Sequence, residues 1–512
     1  MIGHQLAIGA ARHPDSTATV FGARRLTYAE LNERACRLAN ALATLSVRPG
    51  DRVATLLHNC HAFIEAYFAA AKLGAVFVPL NFRLVAREVG HLLDGCTPRV
   101  LLAGESFTEM LTELQAAGSL PPQVVRIDDR PEAAAAGNAP YEAWLAAQPS
   151  VEPDAVVGAD DLQLLVHSSG TTGVPKGAMW THATTLFSST AKIIDFALGA
   201  RDTTVVFGPL FHTGPLMDLA LPLLLRGGKL VIGTSRQFDP ERVLRTIAEE
   251  RATVAHLYPT MWHRLLATVQ DTSAFDLTSL RLLFTGGETL PVPMLESVYD
   301  RFPGVGFVNT YGSTETGAMT TRLFTEDRVR KIGSIGRPAF SVDVRIADDD
   351  GAPLPPGEVG ELLVRSPFVC QGYWHGDEQT ATSSRNGWWH TGDLAWRDDE
   401  GYLWIAGRKK DVIRSGQENV YPLEVERAIA TLAGVAEVGV VGVPDDEWGE
   451  VVVAFVVAAP GAGLDAATVV EHCRQHLASY KKPRHVRFVD SLPRTTVSKI
   501  SRAELKRQFA GG

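Results

Sequence analysis

The residues best suited to chemistry lie between Leu165 and Gly177, in the stretch LVHSSGTTGVPKG. The apolar run Leu162 to Val166 predicts a strand that delivers six consecutive Ser, Gly and Thr residues. These are Ser168, Ser169, Gly170, Thr171, Thr172 and Gly173, and Pro175 and Lys176 follow. Small residues let successive backbone N–H groups curl around an anion, and the hydroxyls add hydrogen bonds. Lysine supplies a compact cation for the charge of a phosphate. The spacing is not that of a Walker A loop, because the fifth residue on from Gly170 is Pro175, and Gly177 follows Lys176 where Ser or Thr belongs. A flexible linker fits poorly after so clean a strand, so the pattern predicts phosphate handling.

Three further places carry polar groups at strand or turn positions. Glu315 lies in NTYGSTETG after a predicted strand Val305 to Val308. Among Ser313, Thr314 and Thr316, its carboxylate suits Mg²⁺ shared with phosphate oxygens, or equally a capped turn. Tyr311, just before Gly312, offers a ring face to a base. His212, in the turn-like GPLFHTGPL, is by type more often packed than catalytic. Asp393 (HTGDL) and Arg408 (AGRKKD) read as strand-end groups that bond a ribose or cap a turn. The five cysteines are scattered with no C-x-x-C, so neither a disulfide framework nor a zinc site is expected, and His58, Cys60 and His61 read as ordinary packing.

The elements that must hold these residues alternate. LTYAELNERACRLANAL (Leu26 to Leu42) has helical apolar spacing, with Thr27 and Glu30 as a capping box. A strand follows from Val53 to Leu57, then the helix HAFIEAYFAAAKLG ending at Gly74, then the strand AVFVPL. Pro131 to Asp161, rich in Ala, Pro and Gly, reads as a surface excursion. KLVIGT, TVAHLY, SLRLLFTGG and VGFVNTYGS are four more short strands, whose ends are where open α/β sheets place ligands. After Gly333, short strands with Gly, Pro and Asp turns form a small β-rich unit. Beyond a boundary near Arg408 to Asp411 the signals become mixed α+β. The fold class expected is α/β: a large N-terminal domain of stacked mixed and parallel sheets with covering helices, a β-rich subdomain, and a small mobile α+β C-terminal domain.

The chain has 512 residues and a formal net charge of −9, with apolar and charged fractions that exclude disordered, collagen-like and coiled-coil classes. No apolar run reaches the ~18 residues of a membrane span. MIGHQLAIGAARHPDS has no basic leader before an apolar stretch, so a soluble cytoplasmic protein is expected. From Tyr480 onward nine basic residues face two acidic ones. Such a tail either meets phosphate or forms a solvated surface helix. Few aromatics interleave with its charges and no nucleic-acid motif is present, so nucleic acid is not an expected partner.

Taken together, SSGTTGVPKG, TGGE, YGSTE, GELLVRS…GYW, WWHTGDLAWRDDEGYLWIAGRKKDVI and PRTTVSKISRAEL resemble the acyl-adenylate-forming superfamily of acyl- and aryl-CoA synthetases, adenylation domains and luciferases. The resemblance runs in order from Leu26 to Lys499. It implies a carboxylic acid–CoA ligase using ATP, Mg²⁺ and CoA, with residues 1–409 as AMP-binding domain and 410–512 as a mobile domain hinged at Lys410. By that resemblance Thr172, Lys176 and the Glu315 metal ligand meet the phosphates, with the Ser168–Gly173 loop. Gly286, Gly287, Glu288 and Tyr311 frame adenine, Gly312 and Thr314 belong to the same ATP/AMP site, and Asp393 and Arg408 take the ribose. His212 stands between acyl pocket and adenylate, and Lys499 bridges carboxylate and α-phosphate. Gly416, Trp448, Tyr480, Lys482 and Arg484 bind CoA, with Arg83 a lesser candidate.

Two departures stand out. Gln417 follows Gly416 where the family has Gly-Gly, which keeps a carrier-protein acceptor open, and Ser498 precedes Lys499 where the family has Gly. His212 stands where amino-acid-activating members carry Asp, which argues against an amino acid. An inactive nucleotide-binding protein fits poorly with five retained site residues, and a luciferase-like activity shares the same motifs. The small apolar walls FHTGPLM, FTGGETL and TYGSTETGAM favour a monocarboxylic acid, with a slight lean to a medium- or long-chain fatty acid over an aryl or cinnamic one. Oligomeric state is not legible, and a homodimer stays open.

Overall fold

The computed structural model describes residues 1–130, 139–168, 175–287, 291–416, 418–495 and 500–510. Two large sheets dominate. A nine-stranded sheet has six parallel central strands in the order Gly306–Tyr311, Leu282–Gly286, Val254–His256, Thr203–Val206, Lys229–Ile232 and Thr17–Phe21, with antiparallel strands at both edges. A six-stranded sheet runs Gln123–Ile127, Val100–Gly104, Arg52–Leu56, Val76–Pro79, Leu162–Ser168 and Lys176–Thr181, parallel except for the last pair.

Strand side chains alternate with period two, and the burial follows it. Val53, Phe77, Leu102 and Val166 face one core together with Val206, Phe284 and Val308 of the other sheet. Leu56, Val76, Leu101 and Leu165 face a second core under the helices Ala86–Cys96 and Thr108–Ala116. Val205, Leu283 and Phe307 face a third, under Pro240–Glu249, Pro259–Thr268 and Val292–Arg301. The result is five layers, with helices between the sheets and outside each.

The middle layer holds the helix His61–Leu73, in which every residue is buried, as its all-round apolar sequence requires. It ends at Gly74 in the left-handed conformation. Its two charges are paired: Glu65 with Arg34 at 2.6 Å, and Lys72 with Glu152 at 2.7 Å. The helix Tyr28–Thr44 carries the expected Thr27–Glu30 capping box. The 131–161 segment is not merely an excursion. Residues Ala139–Ala146 form a helix whose Tyr141 donates to Glu65 at 2.7 Å, because the buried carboxylate needs that donor. All five cysteines are free and buried. His58 bonds Asp129 at 2.9 Å and His61 contacts Arg24 at 3.1 Å.

A five-stranded antiparallel sheet contains Asp343–Ala347, Gly360–Arg365, Trp388–Arg397 and Leu403–Arg408. A further five-stranded sheet, from Ile413 to Phe488, packs the helices Pro422–Ala430 and Ala466–His476 on one face and Arg502–Ala510 on the other. Much of the basic tail is neutralised inside this unit: Lys481 pairs with Glu424 and Arg502 with Glu426, both at 2.6 Å, and Arg494 with Glu437 at 3.0 Å. Among the described residues no helix is long and apolar enough to cross a membrane.

Candidate active site

The carboxyl ends of four adjacent parallel strands form one edge, occupied in order by Tyr311, Gly286–Gly287, His256–Tyr258 and the turn 207–213 with His212. Parallel pairing explains the alignment, since each strand's end lies beside its neighbour's.

At one end of this edge stands a polar cluster. Tyr311 donates its hydroxyl to Asp393 at 2.6 Å, and the Arg408 guanidinium meets the other carboxylate oxygen at 2.9 Å. Asp393 and Arg408 sit directly opposite in antiparallel register, with a bulge just beyond at Leu394/Ala395. Asp393 is therefore mid-strand in Trp388–Arg397 rather than at a strand end, and Tyr311 is the last strand residue rather than part of the turn. Asp393 is buried, so its charge acts at close range. Burial pushes the Tyr311 hydroxyl well up, and the neighbouring carboxylate adds to it. Burial opposes the Arg408 cation, but the Asp393 carboxylate outweighs it and the guanidinium is held above its usual range.

A second cluster stands where the strands ending at Ser168 and opening at Lys176 meet. Ser168 ends its strand half-buried, and Lys176 opens the antiparallel partner directly across from it. The Lys176 ammonium lies 5.0 Å from the centre of the Tyr373 ring, and the Tyr373 hydroxyl donates to Glu315 at 2.9 Å. Residues 370–374 are strapped there by main-chain bonds: Cys370 N–H donates to the Glu315 carbonyl, and Trp374 N–H to that of Gly177, both at 2.8 Å. Tyr373 was not singled out from sequence. Its GYW motif is visible, but the role depends on this cross-chain strap.

The glycines at the edge are set by close approach. A Cβ on Gly286 would stand 2.3 Å from Thr310 Oγ1, and one on Gly312 2.3 Å from the Ala318 carbonyl oxygen. Gly287 has φ of +89°, which a side chain rarely adopts. Thr314 and Glu315 are half-buried in the turn that Gly312 opens, and a hydrogen bond from Ser313 N–H to Thr316 Oγ1 closes it at 3.0 Å.

His212 lies in the turn that enters a π-helical segment, Gly214–Ala220, with its ring 4.3 Å from Phe211. Such segments recur at functional sites. Asp218 from this segment pairs with Lys192 at 3.2 Å, both fully buried, and the Lys192 ammonium also donates to the Gly317 carbonyl at 2.5 Å. Sequence reasoning missed this link between the His212 segment and the Glu315 turn, since Lys192 looks like any helix lysine.

On the C-terminal sheet, Gly416, Trp448 and Arg484 come together. Gly416 N–H donates to the Trp448 carbonyl at 2.7 Å, and the Arg484 guanidinium stacks 4.8 Å from the Trp448 ring centre. Gly416 has φ of +68°. Tyr480 and Lys482 stand apart from that pair among the described residues: Tyr480 is exposed and Lys482 turns back onto the Ser479 carbonyl at 2.8 Å. Burial lowers the Lys410 ammonium, which lies in the short turn Lys409–Asp411 joining the two sheets. Arg83 is exposed, near Phe82. Ser169, Gly170, Thr171, Thr172, Gly173, Glu288, Gln417, Ser498 and Lys499 lie outside the described residues.

Comparison with known proteins agrees with this geometry. The AMP-binding enzyme model matches residues 6–374, and that of the AMP-binding enzyme C-terminal domain matches 424–499. A feruloyl-CoA synthase from an Amycolatopsis species is 41% identical over 496 residues, spanning 97% of this chain and 96% of the relative. A long-chain-fatty-acid–CoA ligase of Mycobacterium tuberculosis, FadD13, is 35% identical over 494 residues, spanning 95% and 93%. The crystal structure of the anthranilate CoA ligase AuaEII with anthranoyl-AMP superposes with a TM-score of 0.90 at 28% identity, over 100% of this chain and 98% of that one. On these matches and this two-cluster edge, the chain belongs to the AMP-binding enzyme family, alongside members named as acid–CoA ligases.

Proposed function

We propose that the protein is an aryl acid–CoA ligase: it activates an aromatic or cinnamate-type monocarboxylic acid as its adenylate and passes the acyl group to CoA. The observation that carries adenylation is the single strand edge with a nucleoside-type cluster (Tyr311, Asp393, Arg408), a phosphate-type cluster (Lys176, Tyr373, Glu315) and His212 further along it. The aryl preference rests on the more similar relative being named for ferulate, with the fatty-acid ligase at lower identity. This replaces the slight lean to a fatty acid that the apolar wall motifs had suggested.

In the first step a carboxylate oxygen bonds to the α-phosphorus and the bond to the bridging oxygen breaks, releasing pyrophosphate. Asp393 and Arg408 bind the ribose, Tyr311 with Gly286, Gly287, Glu288 and Gly312 frames the base, and Ser168 to Gly173 with Lys176 and Thr314 hold the phosphates. Donors fixed before the reaction need no reorganisation as charge shifts. Glu315 fits Mg²⁺: it is a half-buried hard-oxygen ligand, oriented by Tyr373 through one oxygen. Bound there with ATP, the ion supplies charge neutralisation on the phosphates. Lys499 orients carboxylate and α-phosphate, and His212 borders the acyl group.

In the second step the CoA thiol loses its proton and its sulfur bonds to the acyl carbon, and the carbon–oxygen bond to AMP breaks. We assign residues 1–409 and 410–512 as the two bodies and Lys410 as the hinge that exchanges Lys499 for the CoA face between steps. Trp448 and Gly416 line the thiol path there, while Arg484, Lys482 and Tyr480 take the CoA nucleotide. One incubation with Mg-ATP, CoA and a pool of benzoic, cinnamic and fatty acids, read by mass spectrometry, tests the reading. An aryl-CoA product supports it. Exclusive fatty acyl-CoA refutes the aryl assignment, and acyl-AMP without thioester refutes CoA as acceptor.

A further inference from the structure

His256 and Tyr258 stand in the middle of the strand edge, between Gly287 and the His212 turn. His256 ends its strand and Tyr258 caps the helix that follows, and their ring centres lie 4.8 Å apart. His256 is paired in register with Phe284 and Val206, both of which face the inner layer, so its ring faces inward, while the Tyr258 ring packs partly on the outer core and carries its hydroxyl to the 214–220 segment. The contacts agree: a Cβ on Gly214 would lie 3.3 Å from His256 Cε1 and 2.6 Å from the Tyr258 hydroxyl. Cβ atoms on Gly208 and Gly287 would lie 2.8 and 3.6 Å from the Tyr258 ring. Three glycines thus clear the space around one tyrosine.

Both polar groups lack hydrogen-bond partners among the described residues. His256 is only 6% exposed, and its Nε2 is buried with no hydrogen bond among the described residues. It stacks on Phe284 at 5.1 Å and leans on Tyr258 at 4.8 Å, so nothing polar satisfies it from either side. The half-buried Tyr258 hydroxyl has no hydrogen bond among the described residues either. Buried donors and acceptors left unmatched are rare and costly unless a ligand matches them.

Resting on the aryl acid–CoA ligase reading, we propose that Tyr258 and His256 are the specificity-determining polar end of the acyl pocket, and that they hydrogen-bond a hydroxyl on the ring of the aryl acid. A hydroxyl suits them because it donates to one and accepts from the other. Burial drops the His256 imidazole to about 4 and raises the Tyr258 phenol, so both stay neutral at physiological pH. Of the nearby cations, Lys192 is already committed to Asp218, Ser188 Oγ and the Gly317 carbonyl, whereas the exposed Arg83 lies within electrostatic reach of Tyr258.

The test is the ratio of kcat/KM for pyrophosphate release between hydroxylated and unsubstituted members of the cinnamic, phenylacetic and benzoic acid pairs. The wild type should favour a hydroxylated acid by about 10- to 100-fold. Tyr258→Phe, which removes one oxygen, should bring that ratio towards unity, and His256→Leu should do the same. A general packing defect would lower both acids alike and leave the ratio where it was. A wild-type ratio near unity, or an undiminished ratio in both variants, overturns the assignment while leaving an aryl acid–CoA ligase intact. Turnover of fatty acids alone removes the reading on which it rests.

Discussion

Asp393→Asn isolates the charge at the centre of the nucleoside cluster while keeping its shape. The carboxylate accepts from Tyr311 at 2.6 Å and pairs with Arg408 at 2.9 Å. Asn retains one acceptor oxygen, but its amide opposes the second donor. In the empty enzyme this leaves Arg408 partly uncompensated, for a loss of about 1–3 kcal/mol in stability. Toward ATP, the ribose exchanges a charged acceptor for a neutral one. That is worth about 1.5–3 kcal/mol, or about 10- to 150-fold in kcat/KM for ATP. The assay is pyrophosphate release at varied Mg-ATP and saturating acid. The KM for the acid should move little, since the acyl side lies further along the strand edge. Deoxyribose analogues of ATP complete the cycle: the wild type should discriminate against them, and the variant should lose most of that discrimination. If kcat/KM for ATP stays within about threefold, or the variant discriminates as well as the wild type, Asp393 is not the ribose ligand.

Other perturbations separate site from scaffold. Lys499→Ala should cripple acyl-AMP formation while thioester formation from supplied acyl-AMP survives much better, and equal loss in both half-reactions would sink that division of labour. Gly312→Ala should slow adenylation by about tenfold or more, because its Cβ meets the Ala318 carbonyl and displaces the Glu315 turn. Gly95→Ala, whose Cβ meets nothing within 4 Å, should leave the rate as it is. Arg34→Met should cost about 3–5 kcal/mol by stranding the buried Glu65 carboxylate. Burial pushes Glu65 up, but Arg34 overrides it and its folded pKa falls below the ordinary 4.5. The pair's stabilisation is therefore complete above that value and is lost as pH falls through the folded pKa. Without Arg34 burial dominates and the sign reverses, so the Tm gap between variant and wild type should narrow from about pH 7 to about pH 5. A constant gap would contradict this.

How much was legible depended on range. The apolar runs AVFVPL and Leu162 to Val166, the Thr27–Glu30 capping box and the Gly74 helix stop are short-range signals, and the structure carries them as expected. Ordered motifs along the chain likewise mark the AMP-binding family. What failed was anything whose partner lies far along the chain. The helix Ala139–Ala146 read as part of a surface excursion because its reason for order, Glu65, is 76 residues away. The tail's charge read as facing phosphate or solvent, whereas Lys481, Arg494 and Arg502 pair with acids on other elements.

The amino-acid sequence by itself determined which residue types stand ready at which strand ends, and therefore the class of chemistry. Local sterics and hydrogen bonding dictate that much, since a Gly/Ser/Thr turn after a strand presents N–H groups wherever it occurs. Only the tertiary structure decided which of those residues act together. Antiparallel register set Asp393 against Arg408, a crossing strap placed Tyr373 between Lys176 and Glu315, and parallel alignment set His256 and Tyr258, without hydrogen bonds among the described residues, beside Gly214. Those pairings join residues tens to hundreds of positions apart, and the packing of five layers, not any local preference, brings them within a few ångströms.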